Sequence, residues 1–240
     1  MKKFTILLLL LGFISAVSTA QINVQSSFSK KFNVEFRVGP SFPYSDFGNK
    51  DANNNNSGYA KLGYKAEAIA GYKLIDVIGI NVMGFYNANG TDLSSLSNKL
   101  NISTPGRTWT SDSKSWNIYG ALLGFEYSYP ASKYFIVGFK AYTGLLNATA
   151  PKVELTSGSD SFVQDEKSTT SLTYMFSVSG AYPITKSTFW ITSVGYLGST
   201  PRFDNIKTVS TINGVREETT LTFNQDMKVF VVDTGIRIVF

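Results

Sequence analysis

The sequence contains no cysteine and no histidine. The first absence excludes a disulfide framework and thiolate chemistry. The second excludes a Ser-His-Asp triad, His-assisted acyl transfer and a His-ligated metal, so neither catalytic residues nor a cofactor are expected. Charged residues make up only 16% of the chain, against roughly 25% in an average soluble domain. The formal net charge is +5, and Lys2 and Lys3 supply two of those charges, leaving +3 for the rest. That is too weak to argue for nucleic acid as a partner. Long apolar runs are also missing after the first twenty residues, where nothing reaches the roughly 20 apolar residues of a spanning helix.

What is present begins with a leader pattern. Lys2 and Lys3 form a positive n-region, Ile6 to Ile14 an apolar h-region, and Ser18-Thr19-Ala20 a small-residue site ahead of Gln21. Residues 1–20 therefore read as a secretory signal peptide. Residues 21–30 read as a short periplasmic segment and 31–240 as one membrane domain.

That domain alternates with period 2, the signature of half-buried strands. In KFNVEFRVG, Phe32, Val34, Phe36 and Val38 oppose Lys31, Asn33, Glu35 and Arg37. In KLGYKAEAIAGYKL, Leu62, Tyr64, Ala66, Ala68, Ala70 and Tyr72 oppose Lys65, Glu67 and Gly71. Ile78, Ile80, Val82 and Tyr86 share a face of a third segment. Tyr119, Ala121, Leu123, Phe125 and Tyr127 oppose Glu126 and Ser128 in a fourth, and Phe135, Val137, Phe139 and Ala141 oppose Lys140 in a fifth. Leu172, Tyr174, Phe176 and Val178 define a sixth. A seventh, from Thr188 to Gly198, has apolar residues on both sides and its faces stay open. The eighth ends the chain, with Phe230, Val232, Ile236, Ile238 and Phe240 opposite Asp233, Gly235 and Arg237.

Connection lengths carry as much information as the strands. Tight turns are expected at 73–76, 130–132 and 183–186, and long polar loops at 40–60, 88–114, 146–170 and 199–219. Short and long alternate strictly, so one end of the sheet holds all the short turns. This is the layout of an all-β, eight-stranded, antiparallel up-and-down transmembrane barrel, with short periplasmic turns and four long extracellular loops. In lipid the sheet must close, because no strand edge can be left unpaired. Two aromatic belts fit the two bilayer interfaces: Tyr72, Tyr127, Tyr129, Phe135, Tyr182, Phe189 and Phe240 near the short turns, and Tyr86, Trp116, Tyr119, Tyr142, Tyr174, Tyr196 and Phe230 toward the long loops. A soluble β-sandwich would alternate too, but has no reason to gather its long loops at one end.

On this layout, on strands such as GYKAEAIAGYKL and YFIVGFKAYTGLL, and on the terminal aromatic, residues 31–240 resemble the small OmpA-type and OmpX-like outer-membrane barrels, in particular those common in Bacteroidetes. The resemblance implies a bacterial outer-membrane location and a last strand, ending in Phe, that the barrel-assembly machinery reads. That role would fall on Phe240, Ile238, Ile236 and Phe230. The chain departs from full-length OmpA in that no peptidoglycan-binding domain is expected after Phe240.

With the apolar faces toward lipid, the inward charges are Glu35, Arg37, Lys65, Glu67, Glu126, Lys140, Asp233 and Arg237, four of each sign. An eight-stranded barrel is just wide enough for side chains to fill. Buried charges must be paired, so these eight read as an interior ion-pair network; a narrow ion path is the rival. Asp51 to Gly58 spaces oxygen ligands as a calcium loop does, but Asn56 stands where the loop's glycine belongs, which favours a plain polar loop. Asn213-Gly214 within 207–223 is a hairpin signal: the seventh and eighth strands are expected to continue beyond the membrane as a protruding ribbon, whose free edge could pair with a partner strand or only shield the barrel mouth. Two functions stay open: a non-enzymatic membrane anchor whose loops serve adhesion, partner binding or envelope integrity, and a small porin-like channel for ions or solutes.

Overall fold

The computed structural model describes residues 30–240. The leader and most of the expected periplasmic segment lie outside the described residues. Eight long strands carry the architecture: β1 (Phe32–Tyr44), β2 (Ala60–Ile75), β3 (Ile78–Thr91), β5 (Trp116–Ser132), β6 (Phe135–Ala150), β9 (Lys167–Pro183), β10 (Thr188–Ser199) and β13 (Met227–Val239). They close into one barrel in the order β1-β13-β10-β9-β6-β5-β3-β2. The seam is antiparallel, with Asn33 opposite Val239, Glu35 opposite Arg237 and Tyr44 opposite Lys228. Past the last pair, the Phe240 amide donates to the Phe32 carbonyl at 2.8 Å.

The faces follow the sequence pattern. Phe125 is 65% exposed while its neighbour Glu126 is 5% exposed. Phe36, Val38, Val82, Phe139, Phe176, Val178, Val194 and Val232 are likewise exposed. Together with Phe125 they come from seven strands, so the apolar surface circles the molecule instead of forming one patch. A soluble monomer does not tolerate such a band, whereas a closed barrel in lipid requires it. The chain is a transmembrane β-barrel of the outer-membrane type.

Three details differ from or complete the sequence reading. The turn expected at 130–132 comes later, at Lys133-Tyr134. Pro130 still pairs with Ile136, and Ser132 with Phe135, across a register irregularity that accommodates the missing proline N–H. The open faces of β10 are settled: Trp190, Val194 and Tyr196 point outward, while Phe189, Ile191, Ser193 and Leu197 point inward. Three expected belt aromatics are not in the belts: Phe189, Trp116 and Tyr142 are 1%, 4% and 3% exposed. Alternation places each of them on the lumen side, where packing against other side chains replaces lipid.

The long loops are not irregular. Loop 1 carries the short helix α1 (Ser45–Gly48), and loop 2 carries α2 (Ser94–Ser103) and β4 (Thr110–Ser113). Loop 3 folds into the hairpin β7 (Val153–Ser157) and β8 (Asp160–Gln164), and loop 4 into β11 (Arg202–Ile212) and β12 (Val215–Asn224). These five strands form a second sheet in the order β12-β11-β8-β7-β4. Asn213 and Gly214 have φ of 52° and 77°, as a two-residue hairpin turn of right-handed twist demands. The loop 4 hairpin is therefore no continuation of β10 and β13. The chain breaks at Thr200-Pro201 and at Gln225-Asp226, and β8 covers one hairpin edge, from Thr208 opposite Gln164 to Thr211 opposite Ser161. Of the hairpin's two edges, that of β12 stays unpaired within the sheet, whose other edge strand is β4.

Candidate functional site

The inward faces of the strands bring all eight expected charges into one lumen. Each is at most 5% exposed. Glu35 lies at the centre. Lys140 donates to its two oxygens at 2.7 and 2.8 Å, from the opposite wall. Arg237 approaches Glu35 at 2.6 Å and Glu126 at 2.5 Å with the same nitrogen. Arg37 spans Glu35 at 3.0 Å and Glu67 at 2.9 Å, and donates to the Ser193 hydroxyl at 2.7 Å. Lys65 pairs with Glu67 and stands 3.8 Å from Asp233, the loosest member. Ser128 and Asn81 donate to Glu126 at 2.8 and 3.2 Å. Four carboxylates facing four cations across a narrow bore leave little reason for further counter-ions.

Apolar layers flank this charged layer. Toward the short turns, Ile136, Ala181, Phe189, Ile191 and Val239 pack together. Toward the long loops, Ile69, Met83, Leu122, Met175 and Val231 belong to a cluster that continues up to Phe47, Trp116 and Phe203. The last three form a lid. Phe47 meets Trp116 edge-on at 5.4 Å between centroids, and Trp116 meets Phe203 at 5.9 Å. The Trp116 indole donates to the Gly58 carbonyl at 2.9 Å. Phe47 comes from α1 and Phe203 from β11, both in loops that the sequence marks only as polar. An aromatic set in each loop was the available signal for this lid.

Above the lid the head is stapled by polar contacts. Arg107 of loop 2 pairs with Asp160 of loop 3 at 2.7 Å and donates to Asn213 of loop 4 at 2.8 Å. The Asn213 amide donates to Asp160 at 2.7 Å. Lys50 of loop 1 pairs with Asp92 of loop 2 at 2.7 Å. Asp92 also accepts from the Ser94 hydroxyl at 2.8 Å and the Ser94 amide at 3.2 Å, tying it to the start of α2. Hydrogen bonds from Lys50 and then Ser94 hold its carboxyl well below the usual range. The Asp51–Gly58 stretch spends its oxygens on itself: Asn53 N bonds Asp51 Oδ1 at 2.8 Å and Asn56 N bonds Asn54 Oδ1 at 2.9 Å. These are Asx turns. Among the described residues no group of three acidic side chains could hold a metal ion.

No family model matches the chain. No curated protein matches it either. Solved structures of similar shape include Neisserial surface protein A, with 11% identity over 87% of this chain and 97% of that one and a TM-score of 0.47. A major outer membrane protein from Thermus thermophilus gives 13% identity, coverages of 88% and 100% and a TM-score of 0.46. The outer membrane protease OmpT from Escherichia coli gives 9%, 88%, 97% and 0.44. With scores of this size, the architecture rests on the strand pairing and the exposed band described above.

Proposed function

We propose that this protein is a non-enzymatic outer-membrane anchor: a closed barrel holding a folded, surface-facing head that recognises a partner. The observation that carries the reading is the filling of the lumen. Eight charges neutralise one another between two apolar layers, and Phe47, Trp116 and Phe203 cover the outer end. An ion crossing this bore would have to shed water against apolar walls twice. Recognition then falls to the head, whose unpaired β12 edge offers ten residues of backbone to an added strand. The outward row Phe230, Ile236, Ile238 and Phe240 on β13 would be what the barrel-assembly machinery reads. Lipid and a surface partner, and not nucleic acid, are the contacts this reading requires.

The second reading, a small pore, is favoured by the continuous line of charge from Asp233 to Arg237 through Lys65, Glu67, Arg37 and Glu35. Planar-bilayer recording separates the two. The anchor reading expects no stable steps from the reconstituted protein. Persistent ion-sized steps that change in Lys140→Met or Arg237→Met would replace it with the pore.

A further inference from the structure

Between the lid and the second sheet lies a cleft of about 220 Å³. Its lining includes Trp116 and Leu155, which are 4% and 5% exposed. Leu96 of α2, Phe162 of β8 and Phe223 of β12 complete an apolar wall drawn from three loops. We propose that this cleft is a binding site for an uncharged, largely apolar small molecule of one or two fused rings that carries a single hydrogen-bonding group. The inference rests on the head being the recognition element and names what it recognises.

Three observations point to this ligand class. The first is size. An apolar cavity of about 150 Å³ takes benzene, so about 220 Å³ admits a bicyclic such as indole. The second is charge. No side chain lining the cleft carries a formal charge, although the rest of the head is stapled by ion pairs. A charged ligand would lose hydration there without a counter-charge. The third is unspent polarity. Neither the Gln164 amide nor the Tyr59 hydroxyl has a side-chain hydrogen bond among the described residues, while the cleft's Gln225 and Thr91 are already used by backbone carbonyls.

Tyr59 adds a structural oddity. Its φ is 53°, a region that a bulky residue seldom adopts. Two backbone bonds hold it there, from its amide to Asn49 O at 2.9 Å and from the Asp92 amide to its carbonyl at 2.8 Å. Strain of this kind gathers at ligand clamps. Burial, and then the Asp51 carboxylate, push the Tyr59 phenol above its usual value, so it remains an O–H donor at neutral pH.

The test titrates indole into the full-length protein in phosphatidylcholine nanodiscs, by calorimetry, with naphthalene as the isostere that cannot donate a hydrogen bond. Leu96→Trp and Phe162→Trp fill the cleft from two different loops, and heat-modifiable gel migration reports whether each variant folds. The expected result is one saturable indole site that is at least tenfold weaker in either folded variant. Unsaturable uptake equal in all proteins, meaning partition into lipid, overturns the proposal, as does unchanged saturable binding in a folded filled variant. If both filled variants misfold, Gln164→Leu decides: indole should weaken several-fold with naphthalene unaffected, and no change in either sinks the proposal. Indole binding does not depend on conduction, so a conducting lumen would reject the anchor reading without touching this result.

Discussion

Glu35 is the most exacting place to perturb the barrel. Glu35→Gln keeps the shape of the side chain but removes the charge that meets Lys140, Arg237 and Arg37 at 2.7, 2.6 and 3.0 Å. All three cations stay buried, and the lumen goes from four charges of each sign to four against three. Breaking a buried pair by removing one partner costs about 3–5 kcal/mol, because the other charge is left uncompensated. At about 1.4 kcal/mol per factor of ten, the unfolding equilibrium should shift by roughly a hundred- to several-thousand-fold. Urea unfolding of the bilayer-inserted protein, followed by tryptophan fluorescence and gel migration, measures this. Glu35→Gln combined with Lys140→Met returns the lumen to three against three, so the double variant should be more stable than the sum of the singles by about 1 kcal/mol or more. The cost should also survive high salt, since buried pairs are little screened. A loss below about 1 kcal/mol in Glu35→Gln, or strict additivity in the double variant, would refute the network as a structural unit.

Other outcomes follow from the same geometry. Val194→Arg places a charge on the lipid side of β10, opposite Val178 and Val232, and should cost about 2–4 kcal/mol; an unaffected unfolding midpoint would reverse the face assignment of that strand. Gly214→Val forces a branched residue into a φ of 77° and should destabilise the loop 4 hairpin by about 1–2 kcal/mol, read as faster hydrogen exchange in β11 and β12 with unchanged barrel migration. Asp92 has a folded pKa held below its unfolded value by Lys50 and Ser94. Its contribution is therefore present above the ordinary carboxylate range and is lost only as pH falls through the depressed value. Amide exchange at the start of α2 should stay protected at pH 4, and Asp92→Asn should remove that protection at neutral pH.

Most of the barrel was written in its period. Alternation named all eight long strands and the short-turn end, because a strand in lipid has a strict inside and outside. The failures share a cause. β10 carries Phe189, Ile191 and Leu197 inward as well as Trp190, Val194 and Tyr196 outward, since its lumen side packs against the apolar layers and not against charge. Alternation cannot separate two apolar faces. Trp116 and Tyr142 were placed in a belt for their chemistry and their nearness to loops, when their parity along the strand sets them inside. The head was harder still. The five strands of its sheet are 4 to 11 residues long and come from three loops, and only Asn213-Gly214 announces one of them locally.

The position of the lid couples the two halves of the molecule. Phe47 and Phe203 belong to loops 1 and 4, yet they pack on Trp116 at the first residue of β5. Loop 1 also reaches Gln225, whose amide donates to Asn56 O at 3.3 Å, just before β13 begins. The head therefore does not hang from flexible tethers: its inner surface is the top layer of the barrel core. A change that loosens the lid must then disturb both the seal over the lumen and the cleft above it. Phe203→Ala deletes a fully buried ring and should cost about 3–5 kcal/mol. Because the ring serves both structures, exchange protection should fall in β11 and at the outer end of β5 together. Protection lost in β11 alone would show that the head and the barrel are separate units that merely touch.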